Sequence, residues 1–115
     1  MQMSKKLFDD VIAETLRELP RPLREKLATV AVVVAERPPR GEEEDLLGLF
    51  VGVPYGEKIG NPQPEADQIF LFRRNLEEMC ESEEELAEEI RTTLLHEIGH
   101  YLGLDEDELI ERGLE

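Results

Sequence analysis

Both histidines of the chain lie in one segment, LLHEIGHYLGLDEDEL, at positions 94–109. His96, Glu97 and His100 form the pattern H-E-x-x-H. On a helix, residues i and i+4 lie one turn apart on the same face, so both imidazoles can bind one Zn²⁺. Glu97 would lie beside the metal, because it is about 100° around the helix from His96. The pattern predicts hydrolysis by zinc-activated water, with Glu97 as the general base that later passes the proton to the leaving amine.

A third metal ligand is not specified by the two histidines. Gly103 stands three residues after His100, where a glycine lets the chain turn sharply and return toward the metal. An acidic cluster follows, made of Asp105, Glu106, Asp107 and Glu108. We expect Glu106 to be the ligand, with Asp105 as the alternative; an upstream residue or water could also serve. The same carboxylates suit the first turn of a helix, where they interact favourably with the helix dipole.

The motif lies inside the most strongly predicted helix, residues 83–102. Ser82 and Glu85 form a capping-box pattern at its start, and Gly103 is expected to end it. Apolar residues recur at intervals of three or four: Leu86, Ala87, Ile90, Leu94, Ile98 and Tyr101. The two histidines fall roughly opposite the centre of this apolar stripe. Their position therefore favours metal binding over packing in the core.

The remaining pattern predicts one α+β domain, residues 1–115, with the element order α-α-β-β-β-α-α. Helical periodicity and capping signals predict further helices at 5–19, 22–27 and 106–113. Runs of β-branched and aromatic residues predict strands at 28–36, 46–53 and 68–73. Gly48 and Gly52 weaken the second strand, which indicates a bulge or a close backbone approach.

Composition excludes several classes of protein. The formal net charge is −15, and the acidic residues are concentrated after position 40, so the domain should repel phosphate backbones and bind no nucleic acid. Cys80 is the only cysteine, which leaves no intrachain disulfide. No segment has the length of apolar sequence that a membrane-spanning helix requires. We expect a cytoplasmic protein that does not associate with membranes.

Three segments, LLGLFVGVPYGEK, ADQIFLFRRNL and LLHEIGHYLGLDEDELIERGL, resemble the small bacterial zincin-like metallopeptidases. The resemblance implies a minimal zincin-like fold, in which a small three-stranded mixed sheet packs against the H-E-x-x-H helix. The family pattern, H-E-x-x-H-x-x-G-x-x-D, maps its three zinc ligands onto His96, His100 and position 106. This chain has Glu106 in place of the aspartate, and glutamate is longer by one methylene. By analogy with larger zincins, a peptide or protein substrate would lie along the strand at 68–74.

Three functions are compatible with these features. A zinc-dependent peptidase is favoured, because Glu97 is intact and the ligand types suit zinc. The alternative is a non-catalytic metal- or peptide-binding protein that retains the zincin fold. A metal-dependent RNA hydrolase is disfavoured by the net charge.

Four other residues carry secondary expectations. Arg73 and Arg74 could orient a substrate carboxylate, but we expect them to neutralise neighbouring acidic residues. Tyr55 could donate a hydrogen bond to a developing oxyanion, although packing is the commoner role of a loop tyrosine. We expect Cys80 to be packed or incidentally exposed rather than to bind a metal.

Overall fold

The computed structural model describes residues 1–52, 67–104 and 106–111. In chain order the elements are α1 (Lys5–Arg17), α2 (Arg21–Lys26), β1 (Ala31–Ala35), β2 (Gly48–Val51), β3 (Gln68–Phe72), α3 (Arg73–Met79), α4 (Glu83–Tyr101) and α5 (Glu106–Glu111). The α+β class is confirmed, and every predicted element is present, none of them longer than predicted. Helix α3 was not predicted: its residues follow β3 without a turn, and its N-cap residue, Phe72, offers no capping side chain.

The three strands form one mixed sheet in the order β1-β3-β2. Strand β1 pairs parallel with β3, from Ala31 opposite Gln68 to Ala35 opposite Phe72. Strand β2 pairs antiparallel with β3, with Gly48 opposite Leu71. Strand β3 is therefore the central strand, and both its edges are already paired. The prediction that a substrate extends the sheet along 68–74 is wrong in this respect, and residues 73–74 belong to α3 rather than to the strand.

The hydrophobic core lies between the sheet, α1 and α4. Ile69 and Leu71 of β3 are completely buried, as are four apolar residues at helical spacing on α4: Leu86, Ile90, Leu94 and Ile98. Ser82 caps α4 by accepting a hydrogen bond from the backbone of Glu85 (3.1 Å), as predicted. Among the described residues, no helix has the combination of length and apolarity that crossing a membrane requires.

Helix α3 holds the segment that leads into β2. The Asn75 side-chain amide donates hydrogen bonds to the carbonyl oxygens of Glu44 (2.8 Å) and Leu46 (2.7 Å). Its carbonyl oxygen accepts one from Arg37 (2.8 Å). Because Asn75 is 8% exposed, these bonds replace water that its amide would otherwise bind. The start of β2 is thus fixed from outside the sheet.

Candidate metal centre

The last two turns of α4 bring His96, Glu97 and His100 together. The two imidazole rings lie with their centroids 4.5 Å apart and their planes at 74°. One ligand atom from each of the three residues can be chosen so that all three lie within 4.8 Å of one another. His100 is exposed and His96 half-buried, whereas Glu97 is only 7% exposed. The histidines are therefore accessible to solvent, and the glutamate lies beneath them.

This donor set fits a single zinc ion. Zinc binds imidazole nitrogen at about 2.0–2.1 Å, so two nitrogens on one ion are at most about 4.2 Å apart. The observed spread of the three groups, 4.8 Å, is close to that limit. Glu97 Oε1 lies 3.2 Å from His100 Nδ1. When Nδ1 carries the proton it donates to this carboxylate, and Nε2 keeps a lone pair that can bind the metal.

Strand β2 lies directly against this part of α4, and Gly48 is the point of contact. A Cβ atom at Gly48 would come within 2.8 Å of Thr93 Cγ2 and within 3.2 Å of Glu97 Cγ. It would also approach the carbonyl oxygen of Phe70 at 3.1 Å. The predicted close approach at Gly48 is confirmed. Only glycine allows the strand to cover Glu97 so closely.

An open cleft of 480 Å³ lies alongside this contact and is lined by residues of both α4 and β2. The strand and α4 run in the same direction, because Gly48 lies beside Thr93 while the ring of Phe50 lies 5.5 Å from that of Tyr101. The cleft is lined by Leu46, Leu47, Gly48, Leu49, Phe50, Glu89, Thr92, Thr93, His96, Glu97 and His100. In the described sheet, β2 is an edge strand, so the cleft has an edge strand along one side and the two histidines along the other.

Gly103 ends the helix immediately after the motif, as predicted. Its φ is +75°, a left-handed conformation that strains other residues. The Gly103 N–H donates to the His100 carbonyl, and the Leu104 N–H donates to the Gly99 carbonyl, both at 3.0 Å. These two bonds make a Schellman motif, and Leu104 packs against the core. The spacing H-x-x-G therefore has a structural cause: the turn that closes the helix uses the carbonyl of the second histidine.

The predicted third ligand stays a prediction. Asp105 lies outside the described residues. Glu106 begins α5, but its side chain is also outside the described part. What the structure adds is the path of the chain: the Schellman turn directs it off α4 within three residues of His100, and a short helix follows.

Arg73 and Arg74 form ion pairs with the protein's own carboxylates. Arg73 Nε lies 3.3 Å from Glu77, which is 3% exposed, and its guanidinium also donates to the carbonyl oxygen of Met3. Arg74 pairs with Glu36 (2.8 Å) and Glu77 (3.4 Å). This arrangement agrees with charge neutralisation rather than with binding of a substrate carboxylate.

The two remaining residues that we singled out have different outcomes. Cys80 is 3% exposed and packs in the core, as expected. Burial raises the pKa of its thiol, and the nearby carboxylates of Glu85 and Glu89 raise that pKa further. The thiol is therefore a poor candidate for metal binding. Tyr55 lies outside the described residues.

Comparison with known families gives the context for this geometry. The model of the zincin-like metallopeptidases matches residues 27–114, which include the whole sheet and the motif helix. The chain belongs to the zincin-like metallopeptidase family. The fold of this zincin-like protein is similar to that of a conserved hypothetical protein from T. thermophilus, with a TM-score of 0.62. The two are 23% identical, and the similarity covers 95% of this chain and 99% of the other. A comparison with curated proteins gave no match.

Sequence reasoning did not identify two residues of this zincin-like cleft, Glu89 and Thr93. Thr93 stands one turn before Glu97, and Glu89 stands two turns before His96. Extending the helical spacing upstream from the motif would have found both, because positions separated by four or seven residues share a face. Asn75 carried no such signal, since it acts through carbonyl groups about thirty residues away in sequence.

Proposed function

We propose that this protein is a zinc-dependent peptidase whose active site is the cleft between α4 and β2. The observation that carries the proposal is the convergence of His96, Glu97 and His100 at the wall of a cleft that an edge strand borders. Membership of the zincin-like metallopeptidase family supports it.

Each residue has a defined task in this proposal. His96 and His100 would hold the metal through imidazole nitrogens. A bound zinc ion supplies a Lewis acid that makes water a better nucleophile at neutral pH. Glu97 takes the proton from the attacking water and delivers it to the leaving amine. Gly48 packs close to the side chain of Glu97, which also lines the cleft, and this packing would limit the movement of the carboxylate.

We infer that the substrate is a peptide segment in extended conformation that pairs with β2. An edge strand presents backbone N–H and C=O groups that a peptide can pair with, and this gives affinity without selecting side chains. Leu46, Leu47 and Leu49 line the same cleft and offer apolar contacts. This assignment replaces the strand at 68–74, whose two edges are occupied by β1 and β2.

Metal analysis combined with a cleavage assay tests the proposal. Wild-type protein should bind one equivalent of zinc and cleave members of a peptide library. Glu97→Gln should keep the zinc, because the two imidazoles remain, and should lose cleavage by roughly a hundredfold or more. A mass-spectrometric readout identifies the products. Cleavage that persists in zinc-loaded Glu97→Gln would contradict the role of the base.

The third ligand requires its own measurement. Glu106→Gln should weaken zinc binding if this carboxylate is a ligand, whereas Glu111→Gln, the same charge change on the same helix, should not. The readout is zinc affinity by competition with a chromophoric chelator. Equal affinities for both variants would make Glu106 a helix-capping residue only, and would direct the search to Asp105.

The non-catalytic alternative makes a different prediction in the same experiments. Stoichiometric zinc, with no cleavage of any peptide by the wild type, would favour a metal- or peptide-binding protein that retains the fold. An RNA hydrolase is opposed by the net charge of −15, and among the described residues that line the cleft there is neither a lysine nor an arginine.

A further inference from the structure

The cleft contains one charged side chain that the proposed reaction does not use. Glu89 lies on α4 seven residues before His96. Seven residues are nearly two full turns, so Glu89 projects from almost the same face, about 10.5 Å along the helix axis from His96. It lines the same cleft as both histidines.

The carboxylate of Glu89 is only partly satisfied. Its Oε2 atom is buried and accepts no hydrogen bond from any residue that the structure describes. A buried carboxylate oxygen without a donor is unfavourable, because the water that it loses is not replaced. A donor on a bound molecule would remove this penalty once the side chain turns Oε2 toward the cleft that Glu89 lines. The preceding residue, Glu88, offers the contrast: it is exposed and borders the groove between α4 and α1 instead.

The residues that line the cleft favour a donor group that carries a positive charge. Its described side chains are aliphatic or aromatic residues, two threonines, the two histidines and two glutamates, Glu89 and Glu97, with no lysine or arginine among them. The two carboxylates thus make the cleft attractive to a cationic group, and the net charge of the whole chain acts in the same direction.

The distance between His96 and Glu89 matches a spacing of a few residues along an extended peptide. An extended peptide advances about 3.3 Å per residue, so the distance from His96 to Glu89 corresponds to about three residues. Strand β2 runs parallel to α4, with Gly48 beside Thr93, so Leu46 and Leu47 lie toward the Glu89 end of the cleft. The long stem of a lysine or arginine can pack on these leucines while its charged end reaches the carboxylate.

We propose that Glu89 is a specificity-determining residue that binds a lysine or arginine side chain of the substrate, within about three residues of the cleaved bond. The inference rests on the proposed peptidase function, because it takes the peptide to lie along β2 in the same cleft.

A binding experiment separates this inference from catalysis. Zinc-loaded Glu97→Gln protein would be titrated by calorimetry with octapeptides of alanine, leucine and phenylalanine that contain one lysine. Partner peptides carry norleucine in place of lysine, which keeps most of the stem and removes the charge. We expect the best lysine peptide to bind about tenfold more tightly than its norleucine partner, the size of one charged hydrogen bond.

Two further variants assign the preference to its residue. In Glu97→Gln with Glu89→Gln, the preference for lysine should fall to roughly twofold or less. In Glu97→Gln with Glu88→Gln, it should persist, because Glu88 faces the other groove although the charge change is identical. Thermal unfolding checks that each variant is folded; we expect Glu89→Gln to be at least as stable as its parent, since it removes the charge from a half-buried carboxylate whose Oε2 atom has no donor among the described residues.

The outcomes are distinct. Equal binding of lysine and norleucine peptides, binding of neither, or a preference that survives Glu89→Gln would each overturn the inference. Failure of wild-type protein to cleave the lysine peptides that the variant binds would count against the peptidase function and leave the specificity of Glu89 standing. Cleavage by the wild type without a preference for lysine would support the peptidase function and count against the role of Glu89.

Discussion

At the scale of the residue, the site depends on Gly48, a residue without a side chain. Glu97 is held between the ring of His100 and the backbone of β2, and the second contact exists because position 48 has no Cβ. Glu97 is consequently only 7% exposed, while the histidines above it remain accessible to solvent. This combination suits the general base that we propose, since such a base must be held within hydrogen-bond reach of one water molecule.

Replacing Gly48 with alanine should damage both stability and activity. The added methyl would overlap Thr93 and press on Glu97, so β2 must move away from α4 or the carboxylate must shift. We expect a loss of about 1–3 kcal/mol in the free energy of unfolding, measured by urea denaturation. Peptide cleavage should fall by about tenfold or more, because a small misplacement of a catalytic group is costly.

Gly41→Ala is the matched control. Gly41 has a positive φ, +97°, but an added Cβ would meet no atom of the described residues within 4 Å. It should cost only the strain of the left-handed backbone, about 1–2 kcal/mol, and leave cleavage unchanged. If Gly48→Ala cleaves peptides as fast as Gly41→Ala, the packing of β2 on Glu97 does not matter for catalysis.

At the scale of the element, the unpredicted helix α3 supports the edge strand. Asn75 ties the carbonyl groups of Glu44 and Leu46 to α3, and the Phe72 N–H donates to the Leu47 carbonyl (2.9 Å). An edge strand is paired along one side only, so it is the part of a sheet that most needs such external support. The position of β2 over the cleft is therefore set by α3 as well as by β3.

Asn75→Ala should loosen β2 more than the rest of the sheet. The change leaves two carbonyl groups without their donor, which costs roughly 1–3 kcal/mol of stability. Amide hydrogen exchange should accelerate in β2 relative to β1, because only β2 loses its anchor. Met79→Ala, at a side chain of the same helix that is 54% exposed, should change stability by less than about 0.5 kcal/mol. Uniform acceleration across the sheet would mean that Asn75 stabilises the whole domain and not the strand.

At the scale of the whole molecule, the dominant property is charge. A net charge of −15 is carried on a chain with a radius of gyration of 14.0 Å, so most pairs of like charges lie within a few tens of ångströms. The surface ion pairs Lys5–Asp9, Lys6–Asp10 and Arg21–Glu25 are largely exposed, and such pairs contribute little. Mutual repulsion should therefore outweigh them in the folded state.

Salt should stabilise the protein for this reason. Raising NaCl from about 0.01 M to about 0.1 M shortens the Debye length from about 30 Å to about 10 Å, which screens repulsion across the molecule. We expect the midpoint of thermal unfolding of metal-free protein to rise by a few degrees, measured by circular dichroism. A midpoint that falls as salt is added would show that the ion pairs contribute more than the repulsion costs.

The sequence by itself determined the parts of the structure that depend on local interactions. The cap at Ser82, the apolar stripe of α4 and the stop at Gly103 are all confirmed, because helix ends and faces are set by residues within a few positions of one another. The grouping of His96, Glu97 and His100 follows from the same local geometry. Family membership agrees with the resemblance that these segments carry.

Only the tertiary structure decided which strand lies at the edge, and therefore where we propose that a substrate pairs. Strand order is set by contacts between distant residues, such as Ala31 with Gln68, which no local pattern specifies. Helix α3 was not predicted, because its start has no capping side chain. Its stabilising contacts include the hydrogen bond from Asn75 to the carbonyl of Glu44, which lies in the segment before β2. The position of Glu89 also became clear only from the fold. In the sequence it is one glutamate among many, whereas the fold places it in the cleft with His96, beside an edge strand.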